Sequence, residues 1–147
     1  MAFVFRFKVL MQHRQYLLKK AQTDLGTAQS RFEKIKARRE TIKAQIEQQR
    51  QFWEERQSTG MHISDFLSFR DYLKSLEQQL LMIEGEMQKA AHEIADAKKI
   101  LIEKERDMKA MESLEEKERV DYRYEQTRKE QRQIDEVAIF KDAHKAN

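Results

Sequence analysis

The sequence predicts an all-α protein, a long two-helix antiparallel coiled-coil hairpin, and three observations carry that prediction. The 147 residues include no proline and three glycines, where average usage would give roughly seven and ten, so folds built from many turns are excluded. Apolar residues recur at heptad spacing in two long runs, which excludes disorder for a chain that is 37% charged and 39% hydrophobic. Turn-forming residues cluster at a single place, around Gly60. The expected layout is one domain over 1–147, with helix 1 about 4–57, a bend about 58–64 and helix 2 about 65–140.

In the first arm the a positions are Val4, Met11, Leu18, Leu25, Phe32, Arg39, Ile46 and Trp53, and the d positions are Phe7, Arg14, Ala21, Ala28, Ile35, Ile42, Gln49 and Arg56. Twelve of these sixteen are apolar, against about six for a random scatter of the same composition. A strict seven-residue repeat makes a narrow seam and a left-handed supercoil. Arg14, Arg39 and Gln49 interrupt the seam, as Lys104 does on the second arm. Such residues either fix register at some cost in stability or mark a stretch that can splay and meet a partner.

The bend, Gln57 to Asp65, holds Ser58, Thr59, Gly60 and Ser64. Gly60 suits the left-handed conformation past a helix end, and Ser64 followed by Asp65 reads as an N-cap with an acid in the first turn. Gly26 and Gly85 lie off the seam inside strong helical pattern, where each costs about 1 kcal/mol.

The second arm is more regular. Phe66, Phe69, Leu73, Leu76, Leu80, Ile83, Met87, Ala90, Ile94, Ala97, Leu101, Lys104, Met108 and Met111 fit the repeat with one polar exception. Residues 1–60 carry 13 basic and 6 acidic side chains and residues 61–147 carry 16 and 20, so the arms attract within one chain, weakly per exposed pair. Folding about Gly60 pairs residues whose numbers add to about 121 and leaves the last ~27 residues overhanging by about 40 Å if helical. In the overhang the register meets Glu115, Glu118, Tyr122, Glu125, Lys129 and Arg132, and then Ile134, Val137, Ala138, Ile139 and Phe140 appear with no partner in the chain. That group is either a docking surface for another protein or a frayed or self-capping end.

Aromatic residues gather near the bend. Trp53, Phe66 and Phe69 fall on the seam, whereas Phe52 and Tyr72 lie off it, one on each arm. The latter two are expected to be partly exposed, either as a binding hot spot or as flank packing.

No catalytic constellation is present. His13, His62, His92 and His144 are dispersed, and the helix His92-Glu93-Ile94-Ala95-Asp96 has Asp96 where a zinc protease needs its second histidine. Without a phosphate-cradling glycine loop or a cleft, no enzyme activity, cofactor or metal is expected. A pI near 9.0 raises nucleic-acid binding, but the densest basic patch, Lys34, Lys36, Arg38 and Arg39, is flanked by Glu33 and Glu40 and embedded in the heptads. Membrane insertion is excluded by the lack of a ~20-residue apolar run. The opening, Phe3-Val4-Phe5-Arg6-Phe7, is too short and too charged for a signal peptide, so a cytoplasmic location is expected.

Three segments carry a family resemblance. Phe3-Val4-Phe5-Arg6-Phe7-Lys8-Val9-Leu10 with Arg14, the stretch Phe69-Arg70-Asp71-Tyr72-Leu73-Lys74-Ser75-Leu76-Glu77, and Arg128 through Ala138 resemble the start, second helix and end of the flagellar export protein FliJ family. The resemblance implies a coiled coil like the gamma stalk of F-type ATP synthase, in the bacterial flagellar type III export apparatus. It implies as partners the export ATPase hexamer, the cytoplasmic domain of the export-gate membrane protein and export chaperones, with peripheral association at the inner membrane. Mapped by position, the ATPase-facing residues would be Phe3, Phe5, Phe7, Ile134, Asp135, Glu136, Val137 and Phe140. The gate-facing residues would be Phe52, Trp53, Phe69, Tyr72, Leu76 and Ile83. The alternatives are a self-associating scaffold without a motor partner and the analogous stalk of a virulence secretion system.

Overall fold

The computed structural model describes residues 2–145, so Met1, Ala146 and Asn147 of the expected hairpin lie outside the described residues. Two helices account for nearly all of it: α1, Lys8–Gln57, and α2, Ile63–Lys145. They pack side by side and antiparallel. The chain divides into two compact units: Lys20–Leu101, which contains the bend, and a second unit made of the residues on either side of that stretch.

In the bend unit the reversal is short because both sides of it are capped locally. Gly60 takes φ of 82°, a conformation only glycine adopts without strain. The Ser58 hydroxyl donates to the Glu55 carbonyl at 2.7 Å, and the Thr59 hydroxyl donates to that of Arg56 at 3.1 Å. These two side chains thus satisfy carbonyls that the end of α1 leaves open. The expected N-cap at Ser64 is corrected: α2 begins at Ile63, and its first turn closes with Phe66 N–H donating to the His62 carbonyl at 3.1 Å. Ser64 is therefore already helical, while Asp65 does occupy the first turn.

The seam of this unit is built from Ala21, Ile35 and Ile46 on α1 against Leu76, Ile83 and Ala90 on α2, all buried. Ile35, Ile83 and Ala90 form one cluster, flanked by Phe32, Ile42 and Met87. Every buried residue here sits on a heptad position counted from the sequence, as a two-helix seam requires. At the bend end the seam closes on aromatics, with Trp53 stacked on Phe69 at 4.8 Å and tilted against Phe66 at 4.9 Å.

Ion pairs run along both flanks: Arg31–Glu93 at 3.3 Å and Arg38–Glu86 at 3.4 Å on one side, Arg50–Glu77 at 3.9 Å on the other. These partners stand a few residues beyond the pairing counted from Gly60. Helical side chains tilt toward their own N-terminus, so in an antiparallel pair the tips meet at lower levels than their Cα atoms.

Arg39 is, with Gln49, a polar interruption of this seam. Its Nη1 meets the Met87 sulfur at 3.8 Å, and its Nε, buried, has no hydrogen-bond partner, the Glu84 carboxylate being 3.9 Å away. That distance supports charge attraction but not a hydrogen bond.

Candidate functional site

The other unit carries the chain's described termini. Met108 and Met111 of α2 are buried here together with Phe5, Lys104 is half-buried, and Arg14 donates from Nη1 to the Asp107 carbonyl at 3.2 Å. The first arm does not begin as a helix at Val4. Residues 2–5 are irregular, Arg6 and Phe7 form a turn, and α1 starts at Lys8. The alternation of aromatics in Phe3-Val4-Phe5-Arg6-Phe7 is the period-2 signal of an extended segment, and the heptad count overrode it. Val4, expected on the seam, points outward at 77% exposure, and Phe5 is buried in its place.

This extended segment forms a hook over α2. Phe3 lies against Tyr122, ring centroids 5.5 Å apart, and the Arg119 guanidinium sits over Phe3 at 5.0 Å while donating to the Glu115 carboxylate at 2.9 Å. Arg6 reaches Glu118 at 3.2 Å, and Phe5 and Phe7 meet edge to face at 5.9 Å. An extended chain advances about 3.3 Å per residue against 1.5 Å in a helix, so the hook covers α2 farther than a helical start would. That coverage accounts for the half-burial of Glu115, Glu118 and Tyr122 at positions where the register turns polar.

Beyond the hook α2 continues alone. Every residue from Thr127 to Lys145 is exposed, about 28 Å of helix. Its contacts are local: Thr127 to the Arg123 carbonyl at 2.9 Å, Gln131 to Asp135 at 3.2 Å, and Phe140 stacked on His144 at 4.9 Å. Ile134, Val137, Ile139 and Phe140 present their side chains to solvent at 54–69% exposure. Of the residues mapped to the ATPase, Ile134, Asp135, Glu136, Val137 and Phe140 thus share one helix end. Phe3, Phe5 and Phe7 belong to the hook, whose contact at Tyr122 lies about 18 Å along the helix from Ile134.

The six residues mapped to the export gate, all in the bend unit, separate into two kinds. Leu76 and Ile83 are buried in the seam. Trp53 and Phe69 are half-buried against each other. Phe52 and Tyr72 are exposed, at 47% and 46%, with the Arg56 guanidinium over Phe52 at 5.0 Å. The ion-pair register brings these two together on one flank. Stepping by heptads from Arg31–Glu93 and Arg38–Glu86, the next rungs are Gln45 with Gln79 and then Phe52 with Tyr72. On the opposite flank, the step from Arg50–Glu77 toward the bend is Gln57 with Arg70, and beside it Trp53, Phe66 and Phe69 line a shallow groove with Arg50 and Glu54.

Among the described residues no three His, Cys, Asp or Glu side chains gather as a metal site, and no described helix is long and apolar enough to cross a membrane. A seam closed by side chains and two exposed surfaces of aromatic and aliphatic residues define a coiled-coil interaction protein. The chain belongs to the family described as flagellar FliJ protein, whose match spans residues 3–147, and is thus a component of type III protein export. No curated protein matches it significantly. Among solved structures it is similar to a Chlamydia trachomatis protein described as a YscO homolog, with 16% identity, a TM-score of 0.54 and coverage of 99% of both chains. At that identity the likeness concerns the fold alone.

Proposed function

We propose that the protein is a stalk of the flagellar export ATPase, promoting hexamer assembly and turnover and linking the ATPase to the export gate from the cytoplasmic side of the inner membrane. The single observation that carries this reading is the bare end of α2, where Ile134, Val137 and Phe140 stand exposed on a helix that nothing among the described residues covers. A helix with an apolar face suits a groove in a partner, and a lone helix is thin enough to enter a ring. The Phe52–Tyr72 flank near the bend is the surface for the gate's cytoplasmic domain, with Trp53 and Phe69 holding it from behind. Export chaperones are further partners of the same family role.

The test is ATPase turnover and hexamer formation with the protein added, beside the double variant Ile134→Asp, Phe140→Asp. The intact protein should stimulate both, and the variant should keep its helicity and lose the stimulation. Stimulation absent from the intact protein, or equal with the variant, rejects the docking mode. The likeness to a YscO homolog favours, as a second reading, the stalk of a related secretion system. Neighbouring genes for flagellar basal-body proteins would decide for the first.

A further inference from the structure

The stripe on the bare end of α2 is small for the task proposed. Ile134, Val137, Ile139 and Phe140 together expose on the order of 400 Å², about half of what one partner contributes to a standard interface. Ile139 also points away from the other three, about 140° around the helix from Ile134 at 100° per residue. More apolar surface lies farther back on the same helix, about 18 Å from the stripe, at the hook: Phe3 and Phe5 on one side of the contact and Tyr122 on the other.

We propose that the hook is a latch, and that docking of the export ATPase on the end of α2 opens it. The inference rests on the docking reading above. Its own support is the way the hook is held. The described ties of residues 3–6 are side-chain contacts: the burial of Phe5, one ring pair, one cation over a ring and one ion pair whose arginine is 75% exposed. The backbone hydrogen bonds of the segment, Lys8 N–H to the Phe5 carbonyl and Met11 N–H to that of Phe7, anchor it to α1 and not to α2. Swinging residues 2–6 away therefore leaves both helices intact. It uncovers Tyr122 and the face of α2 beside it, frees Arg119 from Phe3, and releases two phenylalanines, Phe3 and Phe5, on a short tether. Arg6 and Glu118, parted, become available for charged groups on the partner. A closed latch subtracts from apparent affinity in proportion to the time it stays closed.

The chain has no cysteine, so the latch can be fixed selectively. In the variant Arg6→Cys, Glu118→Cys, a short bis-maleimide linker with a cleavable disulfide would tie the hook to α2, since the native side chains meet at 3.2 Å. Binding of the purified export ATPase is then measured with the double variant unlinked, linked, and linked then reduced. Weakening by about tenfold or more on linking, restored on reduction, is the expected result. Equal binding in all three states overturns the latch and leaves the docking reading standing. Absence of binding by the unlinked variant and by the unmodified protein overturns both.

Discussion

Between Leu76 and Met111, α2 buries Leu76, Ile83, Ala90, Met108 and Met111, whereas from Thr127 to Lys145 it buries nothing. Both stretches are helical and both contain large aliphatic side chains. The difference is in the reach of their contacts. In the paired stretch, arginines of α1 meet acids of α2 that are 27 to 62 positions away in the chain, from Arg50–Glu77 to Arg31–Glu93, while the described contacts of the bare stretch join residues three or four apart. A paired helix is held by burial, and a bare one by propensity and local pairs worth a few tenths of a kcal/mol each. Apolar content alone thus marks neither stability nor function. An isoleucine at position 83 supports the fold, and one at position 134 is free to support a complex.

The sharpest way to break this comparison is to place the same charge in both stretches. Ile83→Asp puts an unpaired carboxylate into the central cluster and is expected to destabilise by about 3–5 kcal/mol, seen as loss of most helical circular dichroism at ordinary temperature. Val137→Asp, on the bare end, should change stability by less than about 0.5 kcal/mol. Comparable losses from the two substitutions would mean that the end of α2 is packed in solution.

Much of this contrast is legible in the sequence. The heptads of Ala21, Ile35, Ile46, Leu76, Ile83 and Ala90 name the buried residues correctly, because a two-helix seam leaves only one face to bury and strict spacing keeps that face in line. The polar residues in the register after Met111 signal where α1 runs out. Three features are not legible there. The hook is hidden because Val4 and Phe7 fit the heptad by accident of spacing, and only the period-2 aromatics mark an extended segment. The start of α2 is hidden because Ser64 is a good capping residue, whereas Ser58 and Thr59 cap the other helix. The placement of Phe52 and Tyr72 on one flank needs the ion pairs, since heptad positions name a face of each helix but not the partner opposite it.

The next largest effect sharpens what holds the paired stretch. Arg39 occupies an a position with a buried Nε lacking a hydrogen bond. Replacing a poorly satisfied buried cation by an apolar residue is often stabilising. Arg39→Leu is expected to stabilise by about 1 kcal/mol, read as a higher urea midpoint. A lower midpoint would show that the Glu84 attraction and the Met87 contact outweigh the missing hydrogen bond.

The smallest effect separates the two stretches by cooperativity. A Cβ built on Gly85 meets nothing within 4 Å, and the residue is helical and exposed on the paired part of α2. Gly85→Ala should therefore stabilise by up to about 1 kcal/mol, through backbone entropy alone. Because this position unfolds with the seam, the gain should appear in the global melting midpoint. The converse change on the bare end, Ala138→Gly, has a similar intrinsic cost. Without long-range packing, that cost should be met by local opening, leaving the midpoint unmoved and accelerating amide exchange between Thr127 and Lys145. If Ala138→Gly lowers the midpoint as much as Gly85→Ala raises it, the bare end unfolds together with the seam, and propensity along α2 is shared over its whole length.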